Sequence, residues 1–275
     1  MKIAVMGSGG VGGYFGARLA HAGCEVSFIA RGAHLAAMRE HGLKVESPLG
    51  DIHLPKVRVT DDPGTLEPVD LVLFSVKLWD TAAAAGSIAS LIGPDTGIVS
   101  FQNGVQKDDI LRRQFGDQAV MGGVGYIATR IGQPGVIKHS GVMQRLVFGE
   151  YDGRRSARAE ALLEACQRGG INAELSGDIR REIWEKFVFL VGLSATTTTM
   201  RLPIGPIRAN AQTRAFLLDI MREVVAAGRA HGVALAADYA EQRLAFCDGI
   251  PADMTSSMHH DLEGGRPLEL AWLSG

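Results

Sequence analysis

Gly7-Ser8-Gly9-Gly10-Val11-Gly12 sets glycines at the first, third and sixth positions of a G-x-G-x-x-G turn, directly after the apolar run Ile3 to Met6. That spacing suits the phosphates of a dinucleotide. The first glycine permits a tight turn, the second lets the backbone approach a pyrophosphate, and the third lets a helix pack close to its strand. Backbone N–H groups at the start of the following helix would then face the phosphates. The next apolar run ends Phe28-Ile29-Ala30-Arg31-Gly32. An NAD site usually carries a carboxylate at this point, which accepts from the ribose 2′-hydroxyl. No acid stands there in the sequence, and Arg31 is suited to the 2′-phosphate of NADP. Residues 7 to 12 and Arg31 are therefore the expected cofactor-binding set, with NADP as the expected cofactor.

Short apolar runs alternating with helical patterns would position this turn, as in a parallel sheet with crossover helices. Strands are expected at Ile3 to Met6, Val26 to Ala30, Asp70 to Val76 and Gly97 to Phe101, with a short one around Val120 to Gly122. The continuous apolar run from Leu71 to Phe74 fits a strand buried on both faces. Gly13 to Ala22 reads as the first helix. Val136-Ile137 and Leu146 to Phe148 read as a late pair of strands separated by turn residues. From about Ser176 the texture becomes helical, with expected helices at Asp178 to Met200, Ala211 to His231, Asp238 to Phe246 and Ser256 to Glu263. The expected fold class is α/β. A Rossmann-type parallel-sheet domain over residues 1–176 is followed by an all-α domain over residues 177–275.

Composition narrows the partners. The chain has 275 residues, a net charge of −2, 46% hydrophobic and 21% charged residues. Neither the charge nor any basic tract argues for nucleic acid or an anionic membrane. No apolar stretch is long enough to span a bilayer, and the opening MKIAVMG has no signal-peptide pattern; a cytoplasmic location is expected. The three cysteines, Cys24, Cys166 and Cys247, form no CxxC pair, so neither zinc nor a disulfide framework is indicated. His259-His260 lacks further ligands at metal-binding spacing, and no metal is expected. Thr196 to Thr199 are read as helical threonines bonding back to the preceding turn.

Further motifs line up in order. Ser75-Val76-Lys77-Leu78-Trp79 and Phe101-Gln102-Asn103-Gly104-Val105 each follow a strand. Arg181-Glu182-Ile183-Trp184-Glu185-Lys186 opens the helical part, and Ser256-Ser257-Met258 precedes Gly265-Arg266-Pro267-Leu268-Glu269. In this order and spacing the sequence resembles the ketopantoate reductases (2-dehydropantoate 2-reductases) from residue 1 to residue 275. The resemblance implies a helical domain like that of 6-phosphogluconate dehydrogenase. It also implies NADPH-dependent reduction of the 2-oxo group of ketopantoate to pantoate, on the route to pantothenate. By the same resemblance Lys186 matches the catalytic lysine, and Glu269 a carboxylate near substrate and cofactor. Lys77 and Asn103 match residues at the nicotinamide end, Ser257 a substrate-carboxylate contact, and Ala128 a cofactor-contacting backbone position.

These residue types suit the implied chemistry. Hydride attack on a ketone builds negative charge on oxygen, which a donor must stabilise and protonate. Trp184, Phe187 and Val188 around Lys186 would desolvate its ammonium and ease proton transfer. Glu269 either orients that ammonium or is a solvated helix charge. Lys77 and Asn103 follow strand ends, where open α/β sheets bind ligands.

Part of the substrate shell departs from the family pattern. Helical spacing sets Leu190 and Ser194 on the face of Lys186, where the family typically has asparagines that hold substrate oxygens. Ala271 and Ser274 likewise replace an aspartate and an asparagine, which suggests a more apolar acyl pocket. The family continues past the L-S-G segment into another helix, whereas this sequence ends at Gly275. A truncated C-terminus and a partner subunit, as in a homodimer, are both open. The expected partner is a small 2-oxo acid. The alternatives are a paralogous reductase of another branched 2-oxo acid and a non-catalytic NADP-sensing protein.

Overall fold

A computed structural model describes residues 1–275. Contacts along the chain divide it into two units, residues 1–102 with 106–179, and residues 103–105 with 180–275. The first unit opens with β1 (Lys2–Met6), α1 (Gly10–His21), β2 (Glu25–Ile29), α2 (Gly32–His41), β3 (Leu43–Glu46), β4 (Ile52–Leu54) and β5 (Arg58–Thr60). It continues through β6 (Leu71–Phe74), α3 (Thr81–Ser87), β7 (Gly97–Ser100), α4 (Lys107–Phe115), β8 (Val120–Gln133), β9 (Val136–Gly149), α5 (Ala157–Arg168) and β10 (Asn172–Leu175).

The strands lie in the order β4-β3-β9-β8-β7-β6-β1-β2-β5, with β10 added beside β9. From β7 to β5 every neighbour is parallel. This is why the sequence here alternates strand with crossover rather than hairpin with hairpin. Alternate side chains feed two cores. Ile3, Val5, Leu71, Leu73 and Val99 join Tyr14, Phe15 and Leu19 of α1 and Leu162 of α5 on one face. Ala4, Val72, Phe74 and Ile98 meet Ala84, Ala85, Ile88 and Leu111 on the other. Each fully buried large apolar side chain contributes about 1.5–3 kcal/mol. Burial on both faces explains the unbroken apolar runs.

One expected feature is corrected. Val136-Ile137 and Leu146 to Phe148 belong to a single strand, β9, paired antiparallel with an equally long β8. The register shifts between Ile127 and Thr129, and the extra residues after His139 bulge opposite Ala128. Ser140-Gly141, which read as a turn, sit in that irregularity; Gly141 has φ of 72°. A bulge and a turn draw on the same residue types.

The second unit is helical: α6 (Ile179–Met200, whose first residue is counted with the first unit), α7 (Ile204–Ala209), α8 (Ala211–Ala230), α9 (Tyr239–Gly249), α10 (Ser257–Glu263) and α11 (Leu270–Leu273). Helix α6 packs closely on α8. A Cβ at Gly192 would lie 2.8 Å from Met221, and one at Gly228 would lie 2.8 Å from the Trp184 ring. Thr196 and Thr197 bond back to the carbonyls of Gly192 and Leu193 at 2.8 and 2.6 Å, as read from the sequence. Thr197 also meets Ser256, the N-cap of α10, at 3.0 Å. No helix is long and apolar enough to cross a membrane.

A buried charge pair stands behind β7. The Lys107 ammonium donates to the Ser100 carbonyl at 2.9 Å and to Asp108 Oδ2 at 2.8 Å. The Tyr151 hydroxyl donates to the same carboxylate oxygen at 2.7 Å, and burial, reinforced by Asp108, pushes that phenol far up, so it stays protonated. Removing one member of such a pair strands the other charge. Lys107→Met should cost about 3–5 kcal/mol in urea unfolding, and the double change with Asp108→Asn should recover a large part of that loss.

Candidate functional site

The glycine turn lies at the carboxyl end of β1, between β2 and β6 in the sheet. Its glycines are required for different reasons. Gly7 has φ of 92°, a left-handed conformation, and a Cβ there would lie 2.8 Å from Val76 N. At Gly12 a Cβ would lie 2.2 Å from the Gly7 carbonyl oxygen. At Gly10 it would lie 2.6 Å from the Thr129 carbonyl oxygen of β8. At Gly9 it would meet no atom within 4 Å. Three of the four glycines are thus needed by the fold itself, while the side of Gly9 opens onto space. That open cradle fits a group brought close to the backbone, such as a pyrophosphate, at the start of α1.

Ser8 is buried, and its N–H and hydroxyl both donate to the Ile29 carbonyl at 3.0 Å. Its own carbonyl is 2.9 Å from His34 Nε2. His34 Nδ1 accepts from the Gly135 N–H at 3.0 Å, so Nε2 carries the hydrogen and donates to Ser8. A buried, neutral imidazole therefore clamps the glycine turn to the β8–β9 hairpin. Ala128, exposed opposite the β9 bulge, is next in the chain to the residue that touches Gly10. The sequence reading put Ala128 among the cofactor contacts but gave His34 no part. A lone histidine inside α2 carries no motif, and only the long-range hairpin reveals its role.

Arg31 caps the start of α2, with its side chain largely exposed. Its guanidinium donates to Asp80 Oδ2 at 2.7 Å. Asp80 ends the short 3-10 turn Leu78–Asp80 that follows Lys77. Lys77 is exposed, and its ammonium lies 5.6 Å from the centre of the Trp79 ring. Gln102 fixes this loop, its amide donating to the Val76 carbonyl at 2.9 Å and to the Thr81 hydroxyl at 2.8 Å. Gln102 was visible only as part of a motif; its tie to residues 76 and 81 follows from the pairing of β6 with β7.

In the second unit the structure brings Lys186 and Asn103 together. The Lys186 ammonium, half-buried on α6, donates to Asn103 Oδ1 at 2.7 Å across 83 positions of sequence. That acceptor fixes the direction of the ammonium. Trp184 and Phe187 pack edge to face on the same helix, ring centres 5.8 Å apart. Glu269 is buried, which sets aside its reading as a solvated charge. Leu190 is half-buried on α6. Ser194 is buried, its hydroxyl bonded to the Val191 carbonyl at 3.3 Å. Ser257 is exposed at the first position of α10, beside the buried cap Ser256.

The family described as "Ketopantoate reductase PanE/ApbA" matches residues 3–153, and "Ketopantoate reductase PanE/ApbA C terminal" matches residues 178–275. The chain belongs to the ketopantoate reductase family. It is similar to a 2-dehydropantoate 2-reductase of Mesorhizobium japonicum, 32% identical over 98% of this chain and 88% of the relative. The crystal structure of a 2-dehydropantoate 2-reductase from Geobacter metallireducens superposes with a TM-score of 0.92, at 33% identity over 99% of this chain and 90% of that one. A D-mandelate dehydrogenase solved with NADH and anilino(oxo)acetate shares the fold, with a TM-score of 0.89 at 22% identity over 99% of this chain and 89% of that one. As a member of the ketopantoate reductase family the chain is an oxidoreductase with a nicotinamide cofactor and a Rossmann-type domain.

Two expectations follow for the turn. Gly9→Ala should leave thermal unfolding nearly unchanged, since φ of −77° suits alanine, yet weaken nicotinamide dinucleotide binding about tenfold or more in a fluorescence titration. Gly12→Ala should instead destabilise the fold by about 1–3 kcal/mol through overpacking.

Burial holds His34 below its ordinary value of 6.5 against the opposing Ser8 bond. Below pH 6.5 the unfolded chain binds a proton that the folded chain refuses, so this contribution to stability is full above that pH and falls away as pH drops. Urea unfolding at pH 7.5 and 5.5 should show a smaller acid loss in His34→Gln than in the wild type.

Proposed function

We propose that this protein reduces a branched 2-oxo acid to the 2-hydroxy acid with NADPH, and that ketopantoate, giving pantoate for pantothenate, is the first substrate to test. The observation that carries this reading is the Lys186–Asn103 bond. A proton-bearing cation is held by an amide whose remaining donors suit a substrate oxygen. When bound, the cofactor supplies the hydride that adds to the carbonyl carbon. Lys186 stabilises the negative charge developing on the carbonyl oxygen and delivers the proton that completes the hydroxyl. Buried Glu269 fits a role in orienting that lysine or the substrate. Gly7, Gly9, Gly10, Val11 and Gly12 would hold the phosphates through backbone, with Ser8 fixing the turn from beneath. Arg31 would meet the 2′-phosphate, while Lys77 and Ala128 would contact the cofactor and Ser257 the substrate carboxylate.

Lys186→Ala should lower turnover by about two orders of magnitude or more, while cofactor titration stays close to the wild type. A protein that only senses NADP would show no turnover with any oxo acid before or after the change.

A second reading concerns the acyl group. Leu190 is apolar and the Ser194 hydroxyl is already bonded to its own helix. A pocket with fewer polar partners at these two positions loses preference for a hydroxylated substrate, by up to about 10⁴-fold. Steady-state kinetics should therefore show unhydroxylated branched 2-oxo acids reduced at least as efficiently as ketopantoate. A strong preference for ketopantoate would refute the apolar pocket and leave the reductase reading intact.

A further inference from the structure

The second parallel strand, β2, ends without a carboxylate, yet the structure supplies one from elsewhere. Strands β2 and β6 flank β1, so the residues after their carboxyl ends come together in front of the glycine turn. Arg31 follows β2 and Asp80 follows β6, and the two join at 2.7 Å. Asp80 stands at the N-cap of α3, where an aspartate ordinarily accepts from the helix's first N–H groups. It makes no such bond here; its carboxylate is turned instead to Arg31. The backbone around it is pinned, with Asp80 N–H donating to the Lys77 carbonyl at 2.9 Å and Gln102 holding both Val76 and Thr81. The Asp80 side of the pair is thus set by the backbone of its loop.

In a dinucleotide site of this type, an arginine favours the 2′-phosphate and a carboxylate favours the free 2′-hydroxyl. This chain offers both on one ion pair. A dianionic 2′-phosphate must compete with the carboxylate for the guanidinium and bear its repulsion, whereas a ribose hydroxyl can donate to it. We propose that Asp80 sets the cofactor preference, restraining NADPH and admitting NADH, so that the protein binds both. This rests on the reading that Arg31 faces the adenosine ribose.

The test is fluorescence titration of the full chain with NADPH and with NADH, for the wild type, Asp80→Asn and Arg31→Ala. The wild type should bind the two with affinities within about tenfold of each other. Asp80→Asn should tighten NADPH by about tenfold and weaken NADH severalfold, since one like charge is removed and one acceptor is lost. Arg31→Ala should weaken NADPH alone. If Asp80→Asn leaves the NADPH-to-NADH ratio unchanged while Arg31→Ala shifts it, Asp80 is a surface ion pair only and the proposal fails, with the reading of Arg31 intact. If neither change moves the ratio, Arg31 does not face the ribose and both fall. Both side chains are solvent-accessible (76% and 31% exposed), so the variants should fold, and a thermal melt of each confirms it.

Discussion

At the carboxyl end of β1 the Cα of Gly12 lies so close to the Gly7 carbonyl that a single added carbon would stand 2.2 Å from that oxygen. This approach lays α1 directly on the sheet, and the helix carries Tyr14, Phe15 and Leu19 into the core. The same tightness leaves the flank of Gly9 uncovered. Packing and ligand access are therefore two results of one backbone path. Gly7 closes the turn against Ser75 and Val76, just beyond β6, and Gly10 against β8, so the turn is held from both sides. A change in any of these neighbours would be felt along the open flank of Gly9.

The loops beside the turn depend on buried polar groups rather than on apolar packing. Gln102 joins the loop after β6 to the end of β7. Lys107 holds the Ser100 carbonyl from below. Asn103 leaves the strand between these two anchors. Such groups are satisfied only in one arrangement, and a shifted loop would leave a buried amide or ammonium without partners, at about 1–3 kcal/mol or more each. That penalty favours a single conformation of the loops that follow β6 and β7.

Much of this was legible in the sequence. The glycine spacing, the apolar runs of β1, β6 and β7, and the helical periodicity after residue 176 each follow from short-range pattern, and the structure has these elements within a few residues. The Lys186 face of α6 follows from 3.6-residue spacing. Three features did not show. The β8–β9 ladder looked like fragments because its bulge uses turn residues. His34 gains its role only when Gly135 and Ser8 converge on it. Asp80 reaches Arg31 because of strand order, which no local pattern records; the absence of an acid after β2 was true of the sequence and untrue of the space around Arg31.

The outer strands of the sheet have a separate consequence. Strands β4 and β5, at the two ends of the order, are three residues each. The added strand β10 has four, with Glu174 paired to Arg145 of its neighbour. Pro55 follows β4 at once, and exposed Lys56 and Arg58 stand at β5. A bare strand edge is a template for another backbone, and short, charged or proline-flanked edges disable it. The three terminal strands thus offer little unpaired backbone for another chain to extend.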